Sequence, residues 1–210
     1  MNQPSKPKYM TAADWDAAYR QGTPPWDADR PHAELIRVLD EYKLRPETVL
    51  EIGCGTGADA IVLARRRFEV TAVDCSPIAI ERARYRAEQS DAVLRFVLDD
   101  IFTFARSSGQ FDFVYDAGLY HVIRQVNLDR YLDMLWRVTR PGSHFLCLAC
   151  APDPTADDDR PQVTDDEIHN ELGRLFEFVH VRPTLLENSI HPVGVPGWSC
   201  LMLRPLVGKK

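Results

Sequence analysis

Three acidic positions and a run of glycines are the residues of this chain whose types and spacing could do chemistry. Val49-Leu50-Glu51-Ile52-Gly53-Cys54-Gly55-Thr56-Gly57 is an apolar run that ends in Gly-x-Gly-x-Gly at the start of a helical pattern. Glycines there let the backbone turn tightly and approach a ligand closely, while the first N–H groups of the helix are free to bind it. Gly53-x-Gly55-x-x-Ala58 also satisfies the dinucleotide fingerprint, in which alanine can replace the third glycine. Asp74 closes the next apolar run. A carboxylate there can accept both hydroxyls of a ribose, whether the ligand is an adenosine or a dinucleotide. Asp99-Asp100-Ile101 closes the run after that. Asp100 is placed to accept from an adenine amino group, with Ile101 against the ring.

Other suggestive residues read as structural. Cys147-Leu148-Ala149-Cys150 has the spacing of a redox or metal pair but lies in an apolar strand. Side chains three apart on a strand point to opposite faces, so the sulfurs are expected to be core cysteines, with neither a disulfide nor a metal between them. Arg65-Arg66-Arg67 closes a helical pattern, where cations favour the negative end of the dipole. Asp157-Asp158-Asp159 reads as a solvated acidic loop.

The elements that must hold these residues alternate along the chain. Apolar runs at Thr48–Ile52, Val70–Asp74, Val93–Leu98, Phe111–Tyr115 and His144–Ala149 read as strands buried on both faces. Helical patterns at Ala58–Arg67, Pro77–Gln89 and Asn127–Thr139 fall between them. That alternation implies a doubly wound α/β sheet. Two more helical patterns, Thr11–Gly22 and Pro31–Tyr42, precede the first strand. Thr164-x-x-Glu167 is a capping box opening a helix near the other end. The strand-like runs Phe176–Leu186 and Trp198–Leu206 follow with no helix between them, which predicts an antiparallel pair at the sheet edge.

With 210 residues, 45% hydrophobic and 27% charged, the chain has the size and composition of one soluble globular domain. Its net charge of -6 provides no cationic excess for nucleic acid or an anionic membrane surface. No run approaches the ~20 apolar residues that cross a bilayer. Residues 1–10 lack the apolar region of a signal peptide and read as a disordered arm. Five cysteines without framework spacing suit a reducing compartment, so a cytoplasmic location is expected.

Strand ends that supply a glycine loop, a ribose acid and an adenine acid resemble the class I S-adenosylmethionine-dependent methyltransferases. The resemblance covers about residues 47–206 and includes the terminal antiparallel pair. It implies a Rossmann-like, seven-stranded sheet and S-adenosylmethionine as cofactor. Glu51 would order the glycine loop, and Gly53, Gly55 and Gly57 would hold the methionine end. Asp74 would bind the ribose and Asp100 with Ile101 the adenine, with Cys75 also among the cofactor-binding residues.

A narrower resemblance lies in Trp15-x-x-x-Tyr19-x-x-Gly22-x-x-Pro25-Trp26-Asp27, which is similar to the lead-in of the thiopurine and thiol/halide methyltransferases. There the segment folds over the cofactor as a lid, which implies that residues 11–45 form lid helices over a core at 46–206 and that Trp15, Tyr19 and Trp26 line the pocket. Tyr19 stands where many members have a second tryptophan, and Asp29-Arg30 where the family usually has glycine. In this fold the loop after the fourth strand sits beside the transferable methyl. Asp116, Tyr120 and His121 are therefore candidates to hold the acceptor or take its proton, and Asp116 also borders the cofactor.

The expected function is methyl transfer to a small nucleophile, a thiol or sulfide first, with an aromatic hydroxyl or ring nitrogen as the alternative. An NAD(P)-dependent oxidoreductase would use the same glycine loop and Asp74, without needing the third-strand acid or the final strand pair. A non-catalytic cofactor-binding module is the remaining reading.

Overall fold

The computed structural model describes residues 11–153, 160–191 and 193–206. The arm expected at residues 1–10 and the Asp157-Asp158-Asp159 loop lie outside them. The strands are β1 (Thr48–Ile52), β2 (Glu69–Asp74), β3 (Arg95–Leu98), β4 (Phe111–Ala117), β5 (Thr139–Cys150), β6 (Glu177–Leu186) and β7 (Val195–Leu203). They form a seven-stranded sheet in the order β3-β2-β1-β4-β5-β7-β6. The first five are parallel, and β7 runs antiparallel to β5 and β6 on either side of it. The helices are α1 (Ala12–Arg20), α2 (Ala33–Glu41), α3 (Ala58–Arg65), α4 (Pro77–Gln89), α5 (Ile101–Ser107), α6 (Tyr120–Val138) and α7 (Asp165–Leu172). None of them is long and apolar enough to cross a membrane.

The sheet is apolar on both faces because helices cover both. Leu50 and Ile52 of β1 join a core with Phe104 of α5, Leu135 of α6 and Leu172 of α7. Val49, one residue along, joins the opposite core with Leu39 of α2 and Leu63 of α3. Alternate side chains of one strand thus enter different cores, which is why these strands read as unbroken apolar runs. Cys147 lies in the first core, while Cys150 packs against the second, so the two sulfurs are on opposite faces.

Several expected boundaries move, each for a physical reason. The expected third strand starts only at Arg95, since Val93 is in solvent. The next element, α5, was not expected: Asp100 is its N-cap, accepting from Phe102 N–H at 2.7 Å. Seven residues hold too few turns for a helical period to show. The helix expected from Asn127 begins instead at Tyr120, and Asn127 interrupts it with φ -160° and ψ 86°. The Asn127 side chain accepts from Arg130 N–H at 2.9 Å, so it caps the second half, the half its sequence announced. β5 begins at Thr139, five residues before the expected His144. Phe111 pairs with Thr139 and Phe113 with His144, so residues 140–143 bulge from the ladder. Thr164 and Glu167 form the expected capping box.

Strand order reverses direction between β1 and β4. The helices that follow these strands diverge to opposite faces and leave a crevice at their carboxyl ends, the usual ligand site of a doubly wound sheet.

Candidate functional site

The floor of the crevice is the loop after β1. Gly53, Gly55 and Gly57 take φ of 69°, 51° and 79°, the left-handed region that glycine enters without strain. At Gly55 a Cβ would also lie 2.7 Å from the Tyr19 hydroxyl, so bare backbone is required for the N-terminal segment to close on the loop. At Gly57 it would lie 3.0 Å from Ala83 of α4, which limits how closely the helices pack.

Asp74, at the end of β2, is tied to this loop. Gly55 N–H donates to its Oδ2 and Ser76 N–H to its Oδ1, each at 2.8 Å. Burial raises its pKa, with the backbone N–H groups of Ser76, Gly55 and Cys75 opposing. Burial and the nearby Asp74 also push the Cys75 thiol up to about 12, so it remains protonated. At the end of β3, Asp100 directs one carboxylate oxygen to its own helix, and Ile101 is buried in the core beside Phe104. Helix capping is thus a second task for a residue that the sequence marks only as a ligand acid.

Beneath the loop lie more acids than a core needs. Glu51, Asp59 and Asp116 are 4%, 5% and 0% exposed. Asp59 accepts from the Tyr115 hydroxyl at 3.0 Å and pairs with His32 at 2.7 Å. Burial first, then the charges of Asp59, Asp74 and Asp116, hold the Glu51 pKa well above the carboxylate range. Its Oε2 is buried with no hydrogen-bond partner among the described residues. An unsatisfied buried oxygen is costly, and one among acids favours a cationic ligand.

The N-terminal segment is strapped over this floor. Trp26 donates from Nε1 to the Tyr19 hydroxyl at 3.0 Å and meets Trp15 edge-on, with ring centroids 5.2 Å apart. Asp16 of α1 accepts from Ser76 Oγ at 2.8 Å and from Ile78 N–H at 3.3 Å, reaching the first turn of α4. Arg82 of α4 donates to the main-chain oxygens of Tyr19 and Gly22 at 2.9 and 2.8 Å. Thr56 donates to Asp27 at 2.7 Å, and Arg86 donates to Thr56 and pairs with Asp29. Asp29, at the position where glycine was usual, takes the left-handed φ of 55°, and Asp is among the few residues that tolerate it. From the far side, Ser189 donates to the carbonyls of Pro24 and Pro25. Sequence reasoning missed Asp16, Asp27, Thr56, Arg82, Arg86 and Ser189. Asp16, Asp27 and Thr56 lie inside motifs that give them no role of their own, Arg82, Arg86 and Ser189 lie in none, and only the fold brings the six together.

The carboxyl ends of β4 and β5 carry the three candidates for acceptor chemistry. Asp116 accepts from Leu119 N–H at 2.8 Å and from the Tyr131 hydroxyl, thereby shaping the turn at Gly118. Burial raises its pKa to about 7. Tyr120 is fully buried, and its hydroxyl donates to Glu171 of α7 at 2.7 Å, so it faces the helix layer. Arg124 joins the same network, pairing with Glu167 and Glu171. His121 is 7% exposed and accepts at Nδ1 from Cys150 N–H at 3.3 Å.

The ends of β1–β3 fit S-adenosylmethionine part by part. Asp74 could offer acceptor oxygens to a ribose, the three left-handed glycines leave backbone bare where a methionine end could lie, and the acidic floor suits a sulfonium and an ammonium.

Comparison with known proteins agrees. Residues 49–142 match the family described as a methyltransferase domain. The 2-heptyl-1-hydroxyquinolin-4(1H)-one methyltransferase of Mycobacteroides abscessus is 28% identical over 167 residues, which are 78% of this chain and 73% of that protein. The thiopurine S-methyltransferase of Equus caballus is 24% identical, over 83% of this chain and 78% of that one. A solved structure from work on the conversion of a disulfide bond into a thioacetal group during echinomycin biosynthesis superposes with a TM-score of 0.81. It is 26% identical and covers 93% of this chain and 94% of its own.

Proposed function

From the premise that this chain is a class I S-adenosylmethionine-dependent methyltransferase, we propose that it methylates a small soft nucleophile, a thiol or a sulfide, inside an aromatic enclosure. The observation that carries this reading is the direct closure of the lid on the glycine loop: the Tyr19 hydroxyl lies 2.7 Å from where a Cβ on Gly55 would be, and it accepts from Trp26, which meets Trp15 edge-on. A polymer would need an open approach to the crevice, whereas a small molecule needs only to be enclosed.

The cofactor supplies a methyl group on a sulfonium that leaves readily, so the chain has to orient, exclude water and balance charge. Glu51, Asp59 and Asp74 make the crevice favourable to a positive centre. Gly53, Gly55 and Gly57 would seat the methionine end, Asp74 the ribose and Asp100 the adenine side. Trp15, Tyr19 and Trp26 exclude water, which strengthens each electrostatic contact inside. On the acceptor side, Asp116 and Tyr120 are fully buried and bonded to Tyr131 and Glu171, so they shape the wall of the crevice more than they face it. A thiol needs little help, because thiolate forms readily near neutral pH.

Oxygen methylation of a small aromatic is the second reading, favoured by the likeness to the hydroxyquinolone methyltransferase. A labelled-methyl assay across thiols, sulfide, phenols and N-heterocycles tests both. Transfer to a thiol or sulfide at least tenfold faster than to phenols is expected. Transfer to phenols alone would select the second reading, and S-adenosylhomocysteine failing to bind would overturn both.

A further inference from the structure

His121 stands at the start of α6, beside the crevice, with its ring in contact with the end of β5. A backbone N–H can only donate, so the Nδ1 that receives the Cys150 N–H must carry a lone pair. A neutral imidazole has one ring proton, which therefore sits on Nε2. Nε2 makes no hydrogen bond to any described residue, and it is not among the buried atoms that lack a partner, so it reaches solvent. His121 thus has its one ring N–H, on Nε2, left over for a ligand at this end of the sheet. We propose that this N–H positions the methyl acceptor as a hydrogen-bond donor, and that the acceptor is a nucleophile already ionised when it binds. The inference rests on the methyltransferase reading above and reverses the base role that the position of His121 suggests.

Every group around the ring is consistent with this. A second proton would have to go on Nδ1, opposing the Cys150 N–H and breaking that bond. Arg124 on α6 and Arg160 ahead of α7 are the cations that face it; Arg124 is paired with Glu167 and Glu171, and Arg160 with Asp153. Burial, with these two arginines, pushes the His121 pKa down to about 4. The other two candidates at this strand end are already bonded elsewhere, Asp116 to Tyr131 and Tyr120 to Glu171.

The step balances without a proton. A lone pair of the anionic acceptor forms the bond to the methyl carbon, the S–CH3 pair returns to sulfur, and the positive and negative charges cancel. A thiolate suits the geometry because one lone pair attacks while another accepts from Nε2–H.

The test compares the wild type, His121→Gln and His121→Ala with thiophenol and phenol as probes, alongside S-adenosylhomocysteine affinity. Glutamine keeps a donor near the Nε2 position but cannot act as a base at these pH values. His121→Gln is expected to keep kcat/KM for thiophenol within about threefold. His121→Ala should raise the KM for thiophenol by about tenfold, the loss of one hydrogen bond to a charged group, with cofactor-product affinity unchanged. Phenol turnover should climb only toward its own pKa of ~10, in all three proteins. The role is overturned if His121→Gln is as impaired as His121→Ala, if His121→Ala behaves as wild type, or if phenol turnover shows a midpoint near ~6.5 that the variants lose. Nitrogen NMR of histidine-labelled protein provides a readout independent of turnover. Nδ1 should be bare and Nε2 protonated from pH 6 to 8, and the opposite tautomer would overturn the role. A wild type that neither binds S-adenosylhomocysteine nor transfers methyl would instead sink the methyltransferase reading itself.

Discussion

The carboxyl ends of β1–β3 and those of β4 and β5 both carry buried polar groups, but they use them in different ways. In the first region the backbone dominates: left-handed glycines, and a carboxylate held by two backbone N–H groups. In the second, side chains satisfy one another, Asp116 with Tyr131, Tyr120 with Glu171, and His121 with the Cys150 N–H. The first arrangement leaves donors and acceptors for one invariant ligand. The second shapes a wall of side chains whose polar groups are bonded to one another and to the backbone.

The largest effect expected from breaking this contrast is at Asp74. Asp74→Ala removes the acceptor of the Gly55 and Ser76 N–H groups and, on the proposed reading, of the ribose hydroxyls, and should weaken S-adenosylhomocysteine binding by about 2–4 kcal/mol in calorimetry. An unchanged Kd in a folded variant would take Asp74 out of the cofactor site.

Asp116 should show its structural role through pH. Its folded pKa, raised to about 7, exceeds the unfolded value of ~3.9, so the native state binds more protons between them. Its contribution to stability is therefore greatest below pH ~4 and is lost as pH rises through about 7. Replacing it by Asn should remove roughly 2 kcal/mol of that dependence, about 4–8 °C in the difference between melting temperatures at pH 5 and 8. Parallel profiles for the two proteins would show that Asp116 does not change protonation there.

Smaller effects should come from the lid. Trp26→Ala loses the edge-on contact with Trp15 and the hydrogen bond to Tyr19, and should raise cofactor and acceptor KM by about tenfold. Wild-type KM values would remove Trp26 from the enclosure. Arg86→Ala cuts a strap to the exposed Asp29, so less than about 1 kcal/mol of stability should be lost in denaturant titration. A larger loss would mean that the bond to Thr56 matters more than the ion pair.

Legibility followed the same division. The glycine loop, Asp74 and the strands beneath them were readable because each function sits on one local segment with its own period and turn residues. α5 and the first half of α6 were not, since a seven-residue helix and an aromatic-rich turn show no period. The lid aromatics were readable only as a motif, while the straps that seat them, Asp16 on Ser76 and Arg82 on two carbonyls, bring together residues far apart in sequence.

By itself, the sequence determined the doubly wound sheet with its antiparallel end, the glycine turn after β1 and the opposite facing of Cys147 and Cys150. These depend on local geometry, the pleat and the glycine φ angles, which one segment carries alone. Only the tertiary structure decided that Tyr120 bonds to α7, that Asp116 builds a turn and that His121 accepts at Nδ1 from the Cys150 backbone. The partners that set those states are Glu171, Tyr131 and the backbone of Cys150, which no spacing rule connects to β4. The protonation state of a buried side chain belongs to its neighbours, and the neighbours are chosen by packing.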